Sequence, residues 1–67
     1  MITISINGEL RQFPQSISVM AFIEVMGYSG KRVALERNGE IVPRSTFDTA
    51  QLNDGDKLEI VVAVGGG

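Results

Sequence analysis

Apolar and polar residues alternate in several short stretches of this chain. Residues 2–6 (ITISI) carry an apolar side chain at every second position, which is the period of a strand with one buried face. Residues 33–37, 40–42 and 57–64 are further strand candidates rich in β-branched and aliphatic residues, and turn-forming sequences separate them. Together with the segment that follows Asn7-Gly8, they predict a sheet of about five strands.

The first hairpin turn is predicted at Asn7-Gly8, because both residue types tolerate a positive φ. A strict two-residue turn would pair Ile6 with Glu9 and would move Leu10 to the polar face of the first strand. One extra residue in the turn pairs Ile6 with Leu10 and keeps the apolar face continuous, since a one-residue slip moves a whole strand to the other face. We therefore predict a bulged turn.

The second hairpin is predicted around Asn38-Gly39, where a two-residue turn fits without a bulge. In this register Leu35 faces Val42, and Arg37 faces Glu40 as an opposite-charge cross-strand pair.

A helix is predicted from Ser18 to Met26. Ser18 is a favoured N-cap residue, and Gly27 suits the left-handed position that follows a helix. The apolar residues in between recur at helical spacing and form one stripe, which is typical of a core-facing helix: Val19, Phe22, Ile23 and Met26. A second, single helical turn is predicted after Pro43, capped by Ser45 and ending at Asp48.

The last strand, residues 57–64, is the most apolar. One of its faces is entirely apolar, and on the other face Val61 and Ala63 follow Lys57 and Glu59. A strand that is apolar on both faces is central and covered, or it exposes a patch to a partner. We expect a central position, with Val61 and Ala63 as part of a docking surface.

The element order predicts an α+β fold, with one main helix packed on one face of a mixed sheet. The simplest closure places the final strand beside the first and parallel to it, which is the β-grasp arrangement of ubiquitin. Residues 1–64 then form one domain, and residues 65–67 form a flexible glycine tail that leaves the middle of the sheet.

Composition narrows the chemistry that the chain can perform. The 67 residues include no Cys and no His, which removes thiol nucleophiles, thiolate metal sites and the usual general base. Asp54 and Asp56 flank a glycine, and an Asx-type turn is favoured over a metal site. Lys31-Arg32 form a small basic spot, for which solvation is favoured over docking, and Arg44 is interpreted as a solvated turn residue. No metal site is predicted.

The net charge of −2 argues against nucleic acid as a partner and mildly favours basic proteins. The alternating first residues do not resemble a signal peptide, and the longest apolar runs are five residues, far short of a membrane span. We expect a cytoplasmic protein without a membrane partner.

The terminal glycines, Gly65, Gly66 and Gly67, are the remaining candidate for function. Three glycines form a thread without side chains that reaches at most about 11 Å, so it could enter the active site of another protein. A carboxylate is a poor electrophile, and adenylation activates it by creating a good leaving group. A water-excluding enzyme site that performs this step needs a narrow substrate. We expect the carboxylate of Gly67 to be the reacting group, with Gly65 and Gly66 providing access.

With these features the chain resembles the ubiquitin-like sulfur carriers, and most closely those of thiamine biosynthesis (the ThiS type). The resemblance covers essentially all 67 residues. Its most specific parts are residues 33–44 (VALERNGEIVPR), 52–60 (LNDGDKLEI) and 64–67 (VGGG).

The resemblance implies a carrier rather than an enzyme, with no cofactor of its own. An E1-like adenylyltransferase of the ThiF type would use ATP and Mg to adenylate Gly67. A cysteine desulfurase would supply sulfur as a persulfide, and the resulting thiocarboxylate would deliver it to a thiazole synthase of the ThiG type.

Two alternatives stay open from the sequence. The small subunit of molybdopterin synthase shares the Gly-Gly end and the activation chemistry. TGS-type β-grasp modules, which are interaction modules of larger enzymes, share a similar Asn-Gly-x-Ile-Val-Pro pattern, but a triple-Gly end and an acidic chain argue against them.

Overall fold

A computed structural model describes residues 1–63 of the chain. It contains five strands, one α-helix and one 3-10 turn. In chain order these are β1 (Ile2–Ile6), β2 (Glu9–Phe13), α1 (Val19–Val25), β3 (Val33–Arg37), β4 (Glu40–Ile41), the 3-10 turn (Arg44–Thr46) and β5 (Lys57–Val62).

The strands form one mixed sheet in the order β2-β1-β5-β3-β4. Strand β5 is central, parallel to β1 and antiparallel to β3. The predicted α+β architecture, with the last strand beside the first, is therefore confirmed. The strand ends at Val62, whereas the predicted strand extended to Val64, which lies outside the described residues.

The helix α1 and the 47–52 segment cover one face of the sheet. Buried apolar side chains come from the sheet, the helix and this segment, and they form one core. The members of this core are Ile2, Ile4, Ile6, Phe13, Val19, Phe22, Ile23, Val33, Leu35, Phe47, Leu52, Leu58 and Ile60. The opposite face of the sheet, here called the open face, carries exposed side chains such as Leu10, Ile41 and Val61.

The helix begins and ends as its sequence predicts. The Ser18 hydroxyl accepts a hydrogen bond of 3.1 Å from the Ala21 amide, which satisfies one of the unpaired donors of the first turn. Gly27 has φ +80 after the last helical residues, a conformation that only glycine adopts readily.

The first hairpin corrects the predicted bulge. Ile6 pairs with Glu9 across a two-residue turn, and Leu10 lies opposite Ser5 with 75% of its surface exposed. The bulged register would bury Leu10, but it would also shift Phe13 from its place opposite Ile2 to the open face.

The position of Phe13 explains this register. Its ring is buried and packs edge-on against Phe22, with 6.1 Å between ring centroids and an interplanar angle of 77°. Burying the larger aromatic side chain and leaving Leu10 exposed is the more favourable exchange, because transfer free energy scales with apolar area.

The second hairpin has the predicted register. Arg37 lies opposite Glu40 in the backbone register, but its ion pair is with Asp56, 3.9 Å away, and not with Glu40 as predicted. The Val42 amide donates a 2.9 Å hydrogen bond to the Leu35 carbonyl, although β4 itself ends at Ile41.

The predicted cap of the single turn is wrong. The 3-10 turn spans Arg44–Thr46 and is preceded by Pro43, so Ser45 lies inside the turn. Pro43 is well suited to this position because its fixed φ of −63 leads into the turn, while its carbonyl accepts hydrogen bonds from the amide and the hydroxyl of Thr46.

Candidate functional site at the end of the central strand

The central strand β5 is held by the core along one face. Leu58 is fully buried and Ile60 is 7% exposed. Val61 follows them towards the end of the strand, points to the open face and is 67% exposed. Strand β5 pairs with β1 only at its start, whereas its pairing with β3 continues to Val62, so the end of β5 is held to the sheet from the β3 side.

The side chain of Asn7 extends the contact between the first hairpin and β5. Its amide nitrogen donates to the Ile60 carbonyl at 3.1 Å, and its amide oxygen accepts from the Ile60 amide at 2.8 Å. The parallel ladder between β1 and β5 aligns only Ser5 with Lys57 and Ile6 with Leu58. The Asn7 side chain therefore continues the pairing beyond the point where the backbone of β1 turns away.

Asn38, in the other Asn-Gly turn, contacts the start of β5 in a similar way. Its amide oxygen accepts from the Lys57 amide at 2.9 Å, and its amide nitrogen donates to Asp56 at 3.1 Å. The two turns thus hold β5 from opposite sides. Both asparagines were predicted as turn residues, and their contacts with β5 could be found only in the folded chain.

We expect Asn7→Gly to lower the free energy of unfolding by about 1–3 kcal/mol, since two hydrogen bonds to Ile60 are lost. Glycine accepts the positive φ of 51 at this position, so the substitution tests the side-chain bonds and not the turn. Urea denaturation measures the change. Asn7→Asp is the comparison variant, because it keeps the acceptor for the Ile60 amide and replaces the donor with a carboxylate oxygen that faces the Ile60 carbonyl. Equal stability of wild type and Asn7→Gly would contradict the role given to these bonds.

The two aspartates near Gly55 both accept hydrogen bonds from other residues of the fold. Asp56 is buried and accepts hydrogen bonds from the Asn53 amide and from Asn38, with Arg37 3.9 Å away. Asp54 accepts from the Thr3 amide at 2.7 Å. Within residues 1–63 no group of three or more acidic side chains is placed to hold a metal ion.

The residues predicted for the site are only partly described. Gly65, Gly66 and Gly67 lie outside the described residues, so their predicted roles stay predictions. Val61 lies opposite Ala34 on the open face, and the Ala63 amide donates a 2.9 Å hydrogen bond to the Arg32 carbonyl. The chain is thus bound to β3 up to Ala63.

Val61 and Ala63 line a shallow groove of about 360 Å³ together with Arg32 and Arg44. From the sequence, Arg32 was interpreted as part of a solvated basic spot and Arg44 as a solvated turn residue. The fold brings them to the same groove beside the end of β5.

Among the described helices, none is long and apolar enough to cross a membrane.

Comparison with known proteins shows similarity in both sequence and fold. A family model described as "ThiS family" matches residues 4–67. The crystal structure of the thiamine biosynthesis protein ThiS from Geobacter metallireducens superimposes with a TM-score of 0.83 at 28% identity, covering 98% of this chain and 100% of that one.

Curated relatives include both long and short proteins. A thiazole synthase of Paramagnetospirillum magneticum is 52% identical over 62 residues, which make up 92% of this chain but 19% of that protein. The uncharacterized protein ycf40 of Pyropia yezoensis is 39% identical over 66 residues, 98% of this chain and 93% of the relative. The chain therefore spans about a fifth of the thiazole synthases that it matches and nearly the whole of the short relative. With a match over residues 4–67 and a β-grasp sheet that ends in a central strand, this chain belongs to the ThiS family.

Proposed function

We propose that the chain is the sulfur carrier for formation of the thiazole ring of thiamine, and that the carboxylate of Gly67 holds the sulfur. Membership of the ThiS family supports a sulfur-carrier role. The observation that carries the proposal is the hydrogen bond from the Ala63 amide to the Arg32 carbonyl. It anchors the chain to the sheet only four residues before Gly67, so a short glycine segment starts from a rigid base.

The proposed chemistry begins with activation of the carboxylate. One oxygen of Gly67 attacks the α-phosphorus of ATP on an E1-like adenylyltransferase of the ThiF type, and pyrophosphate leaves. ATP and Mg belong to that enzyme, and the carrier binds no cofactor. The terminal sulfur of a persulfide, formed from cysteine by a desulfurase, then attacks the acyl carbon and displaces AMP. A thiol cleaves the resulting acyl disulfide and leaves the thiocarboxylate.

A narrow carrier end suits this sequence of reactions. The acyl adenylate is hydrolysed by water unless the enzyme closes around it, and closure is possible only around a thin chain. Gly65 and Gly66 provide that access in the proposal. The chain itself supplies no catalytic group, in keeping with a carrier that is a substrate of other enzymes.

The proposed acceptor is a thiazole synthase of the ThiG type. The two thiazole synthases among the relatives contain a region similar to this chain, which supports a physical association between carrier and acceptor. Val61 and Ala63, exposed beside the start of the tail, are proposed as part of the docking surface. We place these reactions in the cytoplasm.

Intact-mass measurement tests the proposal. The chain is incubated with the E1-like enzyme, Mg-ATP, cysteine, a desulfurase and a thiol, and we expect its mass to rise by the difference between sulfur and oxygen. Fragmentation should place the change at Gly67, because the chain has no Cys that could hold sulfur elsewhere.

The acceptor is tested separately with the loaded chain. We expect sulfur transfer to thiazole synthase and none to the large subunit of molybdopterin synthase. Transfer only to the latter would overturn the thiazole assignment and leave the carrier role standing, whereas no mass change under conditions that load a known carrier would reject both.

A further inference from the structure

A second cavity lies between the end of α1, the start of β3 and the 3-10 turn. We call it the basic cleft. It encloses about 480 Å³, within the range of sites that bind a ligand or an anchoring side chain. Its walls are mainly apolar, with Ile23, Tyr28, Val33 and Phe47 among them, and three cations stand at its edge: Lys31, Arg32 and Arg44.

The end of the helix builds one wall of this cleft. The Gly27 amide donates to the Glu24 carbonyl and the Tyr28 amide donates to the Ile23 carbonyl, both at 3.0 Å, which is the Schellman arrangement. This turn brings the half-buried Tyr28 back beside Ile23. The chain then turns again, with Gly30 at φ +81, and places Lys31 and Arg32 at the rim.

The 3-10 turn supplies the opposite wall. The Met20 amide donates a 2.8 Å hydrogen bond to the Phe47 carbonyl, which holds the segment after the turn against the helix. Phe47 is buried, while Arg44 stays exposed at the edge of the cleft. Two segments that are distant in the sequence therefore place their cations around one apolar cavity.

The charge at this cleft opposes that of the whole chain. The net charge is −2, yet three of the six Lys and Arg residues line this cavity. Within residues 1–63 the only ion pair joins Arg37 and Asp56, so none of the three rim cations has an acidic partner there. Concentrating like charges without counter-ions is unfavourable in the isolated fold, and an acidic ligand would relieve it.

The basic cleft is also continuous with the groove at the end of β5. Arg32, Val33 and Arg44 line both cavities, and the groove extends to Val61 and Ala63. A segment bound in the cleft is therefore directly beside the point where the chain continues towards Gly67.

We propose that the basic cleft binds an acidic segment of the thiazole synthase, with one large apolar side chain of that segment in the cavity and its carboxylates at Arg32, Arg44 and Lys31. The proposal rests on the proposed function, because it assigns a surface to the partner named there. A second copy of this chain is disfavoured as occupant, since it would bring an equal set of rim cations and only scattered exposed apolar residues.

Charge reversal at the rim tests this assignment. Arg44→Glu should raise the Kd for thiazole synthase by about tenfold or more, because a paired cation is replaced by a repelling anion. The acid replaces an exposed residue in the first position of the 3-10 turn, so folding is preserved. Arg11→Glu is the matched control, because Arg11 is exposed on β2 at the other edge of the sheet, and we expect its Kd to change by less than about twofold. Isothermal titration calorimetry measures both.

Two further variants separate charge from apolar contact. Arg44→Lys should retain most of the affinity for thiazole synthase, because it keeps the positive charge. If Arg44 acted only through its shape, this substitution would weaken binding. Met20→Gln, at a partly exposed helix position that lines the cleft, should weaken binding without a change in its salt dependence, whereas Arg44→Glu should reduce that dependence.

The outcomes distinguish this proposal from the proposed function. Loading of Gly67 with sulfur is measured in parallel at saturating activating enzyme, where Arg44→Glu should still be loaded. If the wild type is loaded but Arg44→Glu binds thiazole synthase as tightly as Arg11→Glu does, the cleft assignment fails and the proposed function stands. Weakened binding only to the activating enzyme, or a change only in self-association measured by sedimentation, would equally overturn it. If the wild type is never loaded, the proposed function fails, and calorimetry still decides the cleft.

Discussion

One alanine appended after Gly67 should abolish sulfur loading and leave the stability of the fold unchanged. The extra residue moves the carboxylate by one position, about 3.6 Å, and adds a side chain where the activating enzyme is expected to close around glycine. The carboxylate then no longer meets the α-phosphorus of ATP, and neither adenylate nor thiocarboxylate forms. Intact mass after incubation with the complete loading mixture measures this result.

An alanine added before Met1 is the control for this prediction. Met1 is 81% exposed and precedes β1, which runs parallel to β5, so the addition lies at the end of the sheet opposite to the start of the tail. We expect normal loading of this control. Gly66→Ala should give an intermediate result, with impaired loading and unchanged urea denaturation. Full loading of the chain extended after Gly67 would show that the reaction does not need that carboxylate in its position.

Leu58→Ala should lower the free energy of unfolding by about 2–5 kcal/mol. Leu58 is fully buried in the central strand and belongs to the core beneath α1, so the substitution removes apolar contacts and leaves a cavity that the sheet cannot easily close. A domain of this size has a total stability of roughly 3–10 kcal/mol, so the loss is a large share of it. Urea denaturation followed by circular dichroism measures the change.

Val61→Ala is the matched control on the same strand. Its side chain lies on the open face with 67% of its surface exposed, so its truncation should cost less than about 1 kcal/mol. If Leu58→Ala does not fold, Ile60→Val keeps the test possible, with an expected loss of about 0.5–1.5 kcal/mol. Equal effects at positions 58 and 61 would mean that the two faces of β5 are not differently buried.

Much of the fold could be predicted because the signals are local. The apolar stripe of α1, the serine before it and the glycine after it determine a helix through contacts within one or two turns. The final strand was recognisable as central because its apolar residues continue on both faces. The register of the second hairpin followed from its Asn-Gly turn, whereas the ion pair of Arg37 is with Asp56 and not with the predicted Glu40.

The candidate site was predictable only in part. The terminal glycines and the exposed positions of Val61 and Ala63 can be identified from the order of residues along the chain. The convergence of Arg32 and Arg44 cannot, because it depends on how the segment after β4 packs against the start of the helix, where the Met20 amide donates to the Phe47 carbonyl.

The helix, the strands and the positions of the turns can be identified from the sequence, because each depends on residues close together along the chain. The register of the first hairpin depends instead on the complete fold, since a turn at Asn7-Gly8 permits either register locally and the distant contact between Phe13 and Phe22 selects one. The complete fold also determines that Asn7 binds Ile60 and that three cations meet at one cleft. Such contacts join residues far apart in the chain, and their free energy is gained only when the whole core has assembled.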